Sequence, residues 1–259
     1  MQLITKQLKT QFQKAQHLAI LTGAGVSAES GIPTFRDALT GLWENYNAEQ
    51  MASEKGFLED SDLVWGWYQW RRQKILQSRP NPAHLVIAQL ASILPKVTVI
   101  TQNVDDLHER AGSHDVLHLH GSIHKAHCIQ CHAPYHYPEM ESVDAHLQEQ
   151  RIAPPKCEPC GGLIRPGVVW FGELLPMDIF LTAESAIEDC DFFLIVGTSG
   201  IVYPAADLPY LAIKRGVPSI QINSTQTHLD RKVSCNLKGS AGILLTELYE
   251  ATFGTTCVA

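Results

Sequence analysis

Four short apolar runs set the strongest constraint on how this chain can fold: "HLAIL" from His17, "KVTVITQ" from Lys96, "FFLIVGT" from Phe192 and "VPSIQIN" from Val217. Each reads as a strand buried on both faces, and helix-like segments separate them. Strands alternating with helices make a parallel sheet covered on both sides, so the expected fold class is α/β, a Rossmann-like doubly wound parallel sheet. Two stretches break the rhythm. Residues 32–95 read as helices only, and 121–167 is rich in His, Cys and Pro. Both are expected as insertions that build a smaller helical and zinc-ribbon lobe. The remaining residues, 1–31, 96–120 and 168–259, then form the large lobe.

Bulk composition narrows the function. With 259 residues, 45% hydrophobic and 18% charged, the chain can bury one substantial core plus a module, as an ordinary globular enzyme does. A net charge of −7, with no long run among the 20 basic residues, argues against a nucleic-acid surface. The N-terminal stretch lacks the apolar core of a signal peptide, and no apolar run is long enough to span a membrane. The expectation is a cytoplasmic monomer whose partners are small molecules or proteins. Seven cysteines in a reducing compartment should be read for metal before disulfides.

Their spacing answers. Cys128 and Cys131, then Cys157 and Cys160, form two C-x2-C pairs separated by twenty-five residues, the arrangement that closes a tetrahedral thiolate shell around zinc. Four protein ligands leave no position for substrate, so such a zinc is structural. It would supply folding energy to a lobe too small to make its own core. His127 and His132 flank the first pair and read as surface histidines.

The stretch "LTGAGVSAESGIPTFRD", Leu21 to Asp37, begins like a dinucleotide turn. Gly23, Gly25 and Ala28 spell G-x-G-x-x-A straight after a strand, where glycines let the backbone approach a pyrophosphate. The continuation is wrong for a dehydrogenase. Gly31, Ile32 and Pro33 interrupt the helix, and no second strand follows to carry the acid that would hold an adenine ribose. On its own the turn could equally be unliganded. Polar clusters at the ends of other predicted strands favour a ligand: Gln102, Asn103 and Asp105; His120; Gly197, Thr198 and Ser199; and Asn223. Carboxyl ends of parallel strands are where such sheets bind ligands. His118 shares a strand face with His120, so periodicity does not choose between them.

These segments resemble a known family. "GAGVSAESGIPTFR", "TQNVDDLHERAG", "HLHGS", the paired cysteines, "RPGVVWFGE", "GTSGIVYPAA" and "INST" occur in the order found in sirtuins, the NAD-dependent protein-lysine deacylases, and span about Ala19 to Gly242. The resemblance implies that NAD is consumed as a substrate, which removes the need for the dehydrogenase's ribose acid. It places Ala24, Phe35 and Arg36 in the cofactor loop and Gln102, Asn103 and Asp105 at the nicotinamide and its ribose. Ser199, Asn223 and Ala241 fall in the adenosine half. The "HLHG" context selects His120 as general base. "GVVWFGE" and "GTSGIVY", with Val169, Trp170, Phe171, Gly172, Val202 and Tyr203, would clamp an acyl-lysine peptide as an added strand. Implied products are nicotinamide, free lysine and O-acyl-ADP-ribose. Two other classes stay open: a dehydrogenase, and a non-catalytic reader of acyl-lysine.

Acyl preference turns on "DLVWGWYQWRRQKIL", Asp62 to Leu76. Read as a helix it aligns Val64, Tyr68, Arg71 and Ile75, so an arginine stands where the period calls for an apolar residue. Periodicity alone favours an arginine whose stem packs and whose head reaches solvent. The resemblance instead implies a Tyr/Arg pair gripping a terminal carboxylate, as in desuccinylase and demalonylase sirtuins, with acetyl-lysine also accepted. A plain deacetylase with a structural Arg71 is the alternative.

Overall fold

The computed structural model describes residues 4–34, 46–138 and 150–254. In chain order the strands are β1 (Leu18–Thr22), β2 (Val97–Thr101), β3 (Val116–His118), β4 (Gly121–Cys128), β5 (Pro134–Tyr135), β6 (Ile164–Val168), β7 (Phe192–Val196), β8 (Ser219–Asn223) and β9 (Cys235–Lys238). The helices are α1 (Lys6–Gln13), α2 (Ala48–Met51), α3 (Glu54–Glu59), α4 (Ser61–Gln77), α5 (Pro82–Ile93), α6 (Leu107–Arg110), α7 (Met177–Asp189), α8 (Leu208–Lys214) and α9 (Ala241–Phe253).

The large sheet has six parallel strands in the order β3-β2-β1-β7-β8-β9. Renumbered among themselves they run 3-2-1-4-5-6, the doubly wound order whose direction reverses between β1 and β7. All four expected strands are present and buried at every residue. Their side chains divide by pleat. Leu18 and Ile20 of β1 join Phe192 and Leu194 of β7 in a core covered by α1, α5 and α9. Ala19 and Leu21 join Phe193 and Ile195 beneath α7 and α8. Both faces being covered is why these strands read as unbroken apolar runs.

The helix α5 falls in the 32–95 segment that the sequence reading gave to the second lobe. Its Ala83, Val86, Ile87 and Leu90 pack in the core of the large sheet, where α5 lies against α9. The amphipathic stripe of α5 states only that one face is covered, not by which lobe. Its start is well defined: Asn81 caps the helix, Pro82 occupies the first turn, and His84 completes a capping box.

The smaller lobe combines α2 to α4 with an antiparallel sheet in the order β5-β4-β6. The two insertions share one core, in which Phe57, Trp65, Trp67 and Tyr68 meet Ile123, Ile164, Val168 and Trp170. This corrects the expectation that the cysteine-bearing module lacks a core, because its apolar strand faces are buried by the aromatic residues of α4. Among the described residues no helix is long and apolar enough to cross a membrane.

At the switch point two loops touch backbone to backbone. The N–H of Gly23 donates to the Val196 carbonyl at 3.0 Å and that of Gly25 to the Gly197 carbonyl at 2.9 Å. A Cβ on Gly25 would stand 2.7 Å from the Gly197 Cα, and one on Gly197 would stand 2.4 Å from the Val26 nitrogen. Gly197 also has φ of +64°, which side chains disfavour. Gly197→Ala should therefore destabilise the protein by roughly 2–4 kcal/mol, combining backbone strain with displacement of the glycine loop. Urea denaturation followed by far-UV circular dichroism measures this, and an unchanged midpoint would contradict the contact.

Candidate active site and metal centre

Hydrogen bonds between side chains cross the carboxyl ends of the strands. Beyond β2, the Gln102 carboxamide oxygen accepts from the Thr198 hydroxyl at 2.9 Å, joining β2 to β7. Beyond β8, the Asn223 amide donates to the Thr198 carbonyl at 2.6 Å, joining β8 to β7. The Ser27 hydroxyl ties the glycine loop in. It donates to an Asp105 carboxylate oxygen at 3.1 Å and accepts from the Asn103 amide at 3.0 Å.

Beneath this junction lie residues that the sequence reading missed. The Asn81 N–H donates to His84 Nδ1 at 3.3 Å, so Nε2 carries that ring's proton and meets the Ser27 hydroxyl at 3.3 Å. His108 Nε2 stands 3.0 Å from the Thr22 hydroxyl, whose own proton goes to Thr101 at 2.8 Å, so His108 is the donor. The two histidine rings are 4.9 Å apart. The available signals were the capping-box spacing of Asn81 and His84 and the serine inside the glycine turn; neither states that they meet.

The two candidate histidines separate clearly. His118 is hydrogen-bonded through both ring nitrogens, to the Asn103 carbonyl at 3.2 Å and to Glu109 at 2.6 Å. Neither partner donates, so both nitrogens carry protons. Burial opposes that charge, but Glu109 outweighs it and raises the His118 pKa. His120 donates from Nδ1 to the Gln102 carbonyl at 2.9 Å, which leaves the Nε2 lone pair available. Burial lowers the His120 pKa, with the Gln102 carbonyl acting the other way, so the ring is neutral at pH 7. Asp105 is displaced upward by burial, against hydrogen bonds from Leu107 and Ser27.

The other expected site residues distribute as follows. Ala24, Ala28 and Ser199 are exposed along the loops. Ala241 opens α9, and the next backbone N–H, of Gly242, donates to Glu29 of the glycine loop at 2.8 Å. As the break at Gly31, Ile32 and Pro33 suggests, no long helix follows the glycine loop; two three-residue 3-10 turns do, Ala24–Val26 and Ala28–Ser30. Phe35 and Arg36 lie outside the described residues. Tyr68 and Arg71 sit one turn apart on α4, and Arg71 feels the charge of Asp105, which brings the small lobe to the strand ends. Phe171, Gly172, Val202 and Tyr203 are exposed, whereas Trp170 points inward and is 2% exposed. Val169 donates its N–H to the His120 carbonyl at 2.9 Å, and Phe171 donates to Ala52 at 2.8 Å.

Two buried polar atoms suit a dinucleotide lying across these ends. Gln102 Nε2 and the Ser240 hydroxyl have no partner among the described residues, one beside Asn103 and the other preceding Ala241. The amides and hydroxyls gathered across these ends, on Gln102, Asn103, Thr198 and Asn223, suit the polar groups of NAD.

The four cysteine sulfurs converge within 4.8 Å of one another. Cys128 and Cys160 are 3.4 Å apart, Cys131 and Cys160 3.4 Å, and Cys131 and Cys157 3.6 Å. A tetrahedral zinc with Zn–S near ~2.3 Å needs edges of roughly 3.8 Å, so the set fits. Neither His127 nor His132 joins this group. His132 follows Cys131 with φ of +57° and Gly161 follows Cys160 with φ of +75°, so each pair sits in a matching tight turn and His132 serves the turn.

A doubly wound sheet with polar groups gathered at its switch point, and a closed four-cysteine module on the second lobe, define a dinucleotide-using enzyme with a structural zinc. Residues 23–204 match the Sir2 family, and the chain belongs to that family. A relative from Methylococcus capsulatus, named NAD-dependent protein deacylase, is 52% identical over 245 residues, 95% of this chain and 96% of its own. The solved structure of a Sir2 homolog–NAD complex is 42% identical, covers 96% of this chain and 94% of its own, and superposes with a TM-score of 0.85. A Sir2 protein bound to acetylated peptide, at 27% identity and covering 98% and 100%, gives 0.82.

The purified protein should contain one zinc per chain, and Cys128→Ser or strong chelation should remove it together with activity. Because the module shares its core with α4, zinc loss should expose Trp65, Trp67 and Trp170 and red-shift the fluorescence while the large lobe stays folded. Metal analysis finding no zinc in active protein contradicts the assignment.

Burial holds His84 down to about 4 and His108 down to about 3. Both are depressed relative to the unfolded value, so the unfolded chain binds more protons and stability falls as pH drops from 6.5 toward those values. Each should cost about 2 kcal/mol at pH 5. His108→Gln, which keeps a donor for Thr22, should remove about half of that acid-side loss, measured as urea stability at pH 7 and pH 5. An unaltered slope would place the acid sensitivity elsewhere.

Proposed function

We propose that this chain, an NAD-dependent protein deacylase of the Sir2 family, removes succinyl and malonyl groups from lysine and accepts acetyl-lysine as well. The supporting observation is the Tyr68 and Arg71 pair on α4. Tyr68 is 3% exposed, and burial pushes its pKa up to about 12, so it stays a neutral hydroxyl. Burial also lowers the Arg71 pKa, only partly offset by Tyr68 and Asp105, so an anion arriving with the substrate stabilises the guanidinium. A carboxylate facing a guanidinium fork and a phenol makes charge-assisted hydrogen bonds, which a methyl terminus does not.

NAD, consumed as co-substrate, supplies the electrophilic ribose carbon that the acyl oxygen attacks as nicotinamide departs. Asn103 and Asp105 hold the nicotinamide end, their side chains fixed through Ser27. His120 is the general base: its Nε2 lone pair takes a ribose hydroxyl proton while Nδ1 stays anchored on Gln102. The peptide lies between the exposed edges at Phe171 and at Val202 and Tyr203, and the acyl-lysine enters between them. Products are nicotinamide, free lysine and O-acyl-ADP-ribose.

A second reading makes Arg71 structural, since its guanidinium stands 4.8 Å from the centre of the Trp67 ring. A peptide panel separates the two, with His120→Ala as the inactive control. Arg71→Met should lower kcat/KM for succinyl-lysine by about 2–3 kcal/mol of transition-state stabilisation while largely sparing acetyl-lysine. Equal losses on both substrates would make the enzyme a plain deacetylase, and a fully active His120→Ala would return the base to His118.

A further inference from the structure

A buried phenol needs partners for its proton and its lone pairs. The Tyr68 oxygen accepts the indole N–H of Trp170 at 3.0 Å, and no described residue accepts its hydrogen. The indole is itself held on every side. The Arg165 guanidinium carbon lies 3.5 Å from the ring centre, and Phe57 packs at 5.3 Å. The Trp170 backbone N–H donates to Glu173 at 2.7 Å, and Glu173 is clasped by both terminal nitrogens of Arg165. Arg165 also donates to the Val168 carbonyl at 2.9 Å and is 6% exposed, so the guanidinium side of the clasp is buried while Glu173 is half-buried. A cation over the indole face draws electron density from the ring and strengthens its N–H as a donor.

We propose that Trp170, fixed by the Arg165–Glu173 clasp, is a specificity-determining positioning residue: it fills the acceptor side of the Tyr68 hydroxyl and so turns that hydroxyl's proton toward the acyl terminus. Tyr68 is then a donor by construction, and the pocket favours acyl chains that end in an acceptor. A carboxylate uses that proton, whereas a methyl terminus gains nothing from it. The sequence reading placed Trp170 on a peptide-clamping edge; here it works from behind the pocket wall, through Tyr68. The inference rests on the acidic-acyl reading above.

The test is a double-mutant cycle on kcat/KM for succinyl- and acetyl-lysine peptides at saturating NAD. The wild type, Trp170→Phe, Tyr68→Phe and the double variant are compared, with Arg71→Met alongside. Trp170→Phe should lower the succinyl-to-acetyl ratio roughly tenfold, mainly through KM of the succinyl peptide. In the Tyr68→Phe background the same substitution should change the ratio by less than about twofold. If Trp170→Phe loses zinc or native circular dichroism, Glu173→Gln loosens the clasp with the indole retained and should shift the ratio in the same direction. Equal losses on both peptides, or the same loss of ratio without the Tyr68 hydroxyl, make Trp170 merely structural and overturn the proposal. A ratio unchanged by Trp170→Phe while Arg71→Met still discriminates overturns this inference and leaves the acidic-acyl reading standing. A wild type inactive on succinyl-lysine overturns both.

Discussion

The site depends on two loops approaching at a distance only glycine permits. Where β1 and β7 end, the backbones of Gly25 and Gly197 are in van der Waals contact and share a hydrogen bond. Once those loops are locked, Thr198 lies within reach of Gln102 and Asn223. Ser27, four residues beyond Gly23, reaches Asn103 and Asp105. Side-chain identity at these positions would mean little without that backbone contact, because each hydrogen bond spans two strands whose relative placement the glycines allow.

The polar groups gathered there carry a cost. Burying Asn103, Asp105, His84 and His108 demands a partner for each, and the network supplies most through Ser27, Thr22 and backbone. The residual exceptions are informative. Gln102 Nε2 is left over because Thr198 has taken the opposite side of the same carboxamide. An amide anchored through its oxygen presents its N–H in a fixed direction, which is how a site is organised before its ligand arrives. The same logic carries the small-lobe proposal, where the Tyr68 oxygen is anchored by the Trp170 indole.

Much of this was legible in the sequence, for identifiable reasons. The central strands were readable because burial on both faces erases polar alternation. The edge strands β3 and β9 carry His118, Asn236 and Lys238 and give weaker patterns. Four cysteines are read from spacing alone because a chelate constrains spacing. What spacing does not encode is which hydrogen bonds a side chain makes. Alternation puts His118 and His120 on one face, yet β3 ends at His118 and His120 lies in the turn beyond it, where one ring is paired through both nitrogens and the other keeps a free lone pair. Trp170 looked like part of an exposed edge, because "VVWFGE" gives no sign that the chain turns after Val168 and drives the indole inward. The helix α5 went to the wrong lobe for a related reason: amphipathicity names a buried face but not its partner.

Several contacts link the lobes, among them the Ile123 N–H on the Val104 carbonyl and Arg110 on the Ile75 and Ser78 carbonyls, and one further coupling between them bears on what the enzyme can discriminate. Arg71 on α4 lies within electrostatic range of Asp105 on the β2 loop, which under the proposed function brings the acyl end near the nicotinamide end. A charged acyl terminus therefore enters a field set partly by Asp105, whose burial already makes its own negative charge costly. Under the same proposal Arg71, coupled electrostatically to both Tyr68 and Asp105, offsets the repulsion between an acyl carboxylate and Asp105. Under the acidic-acyl proposal, selectivity for succinyl and malonyl groups depends on how well the pocket tolerates a carboxylate near Asp105 as much as on what grips it.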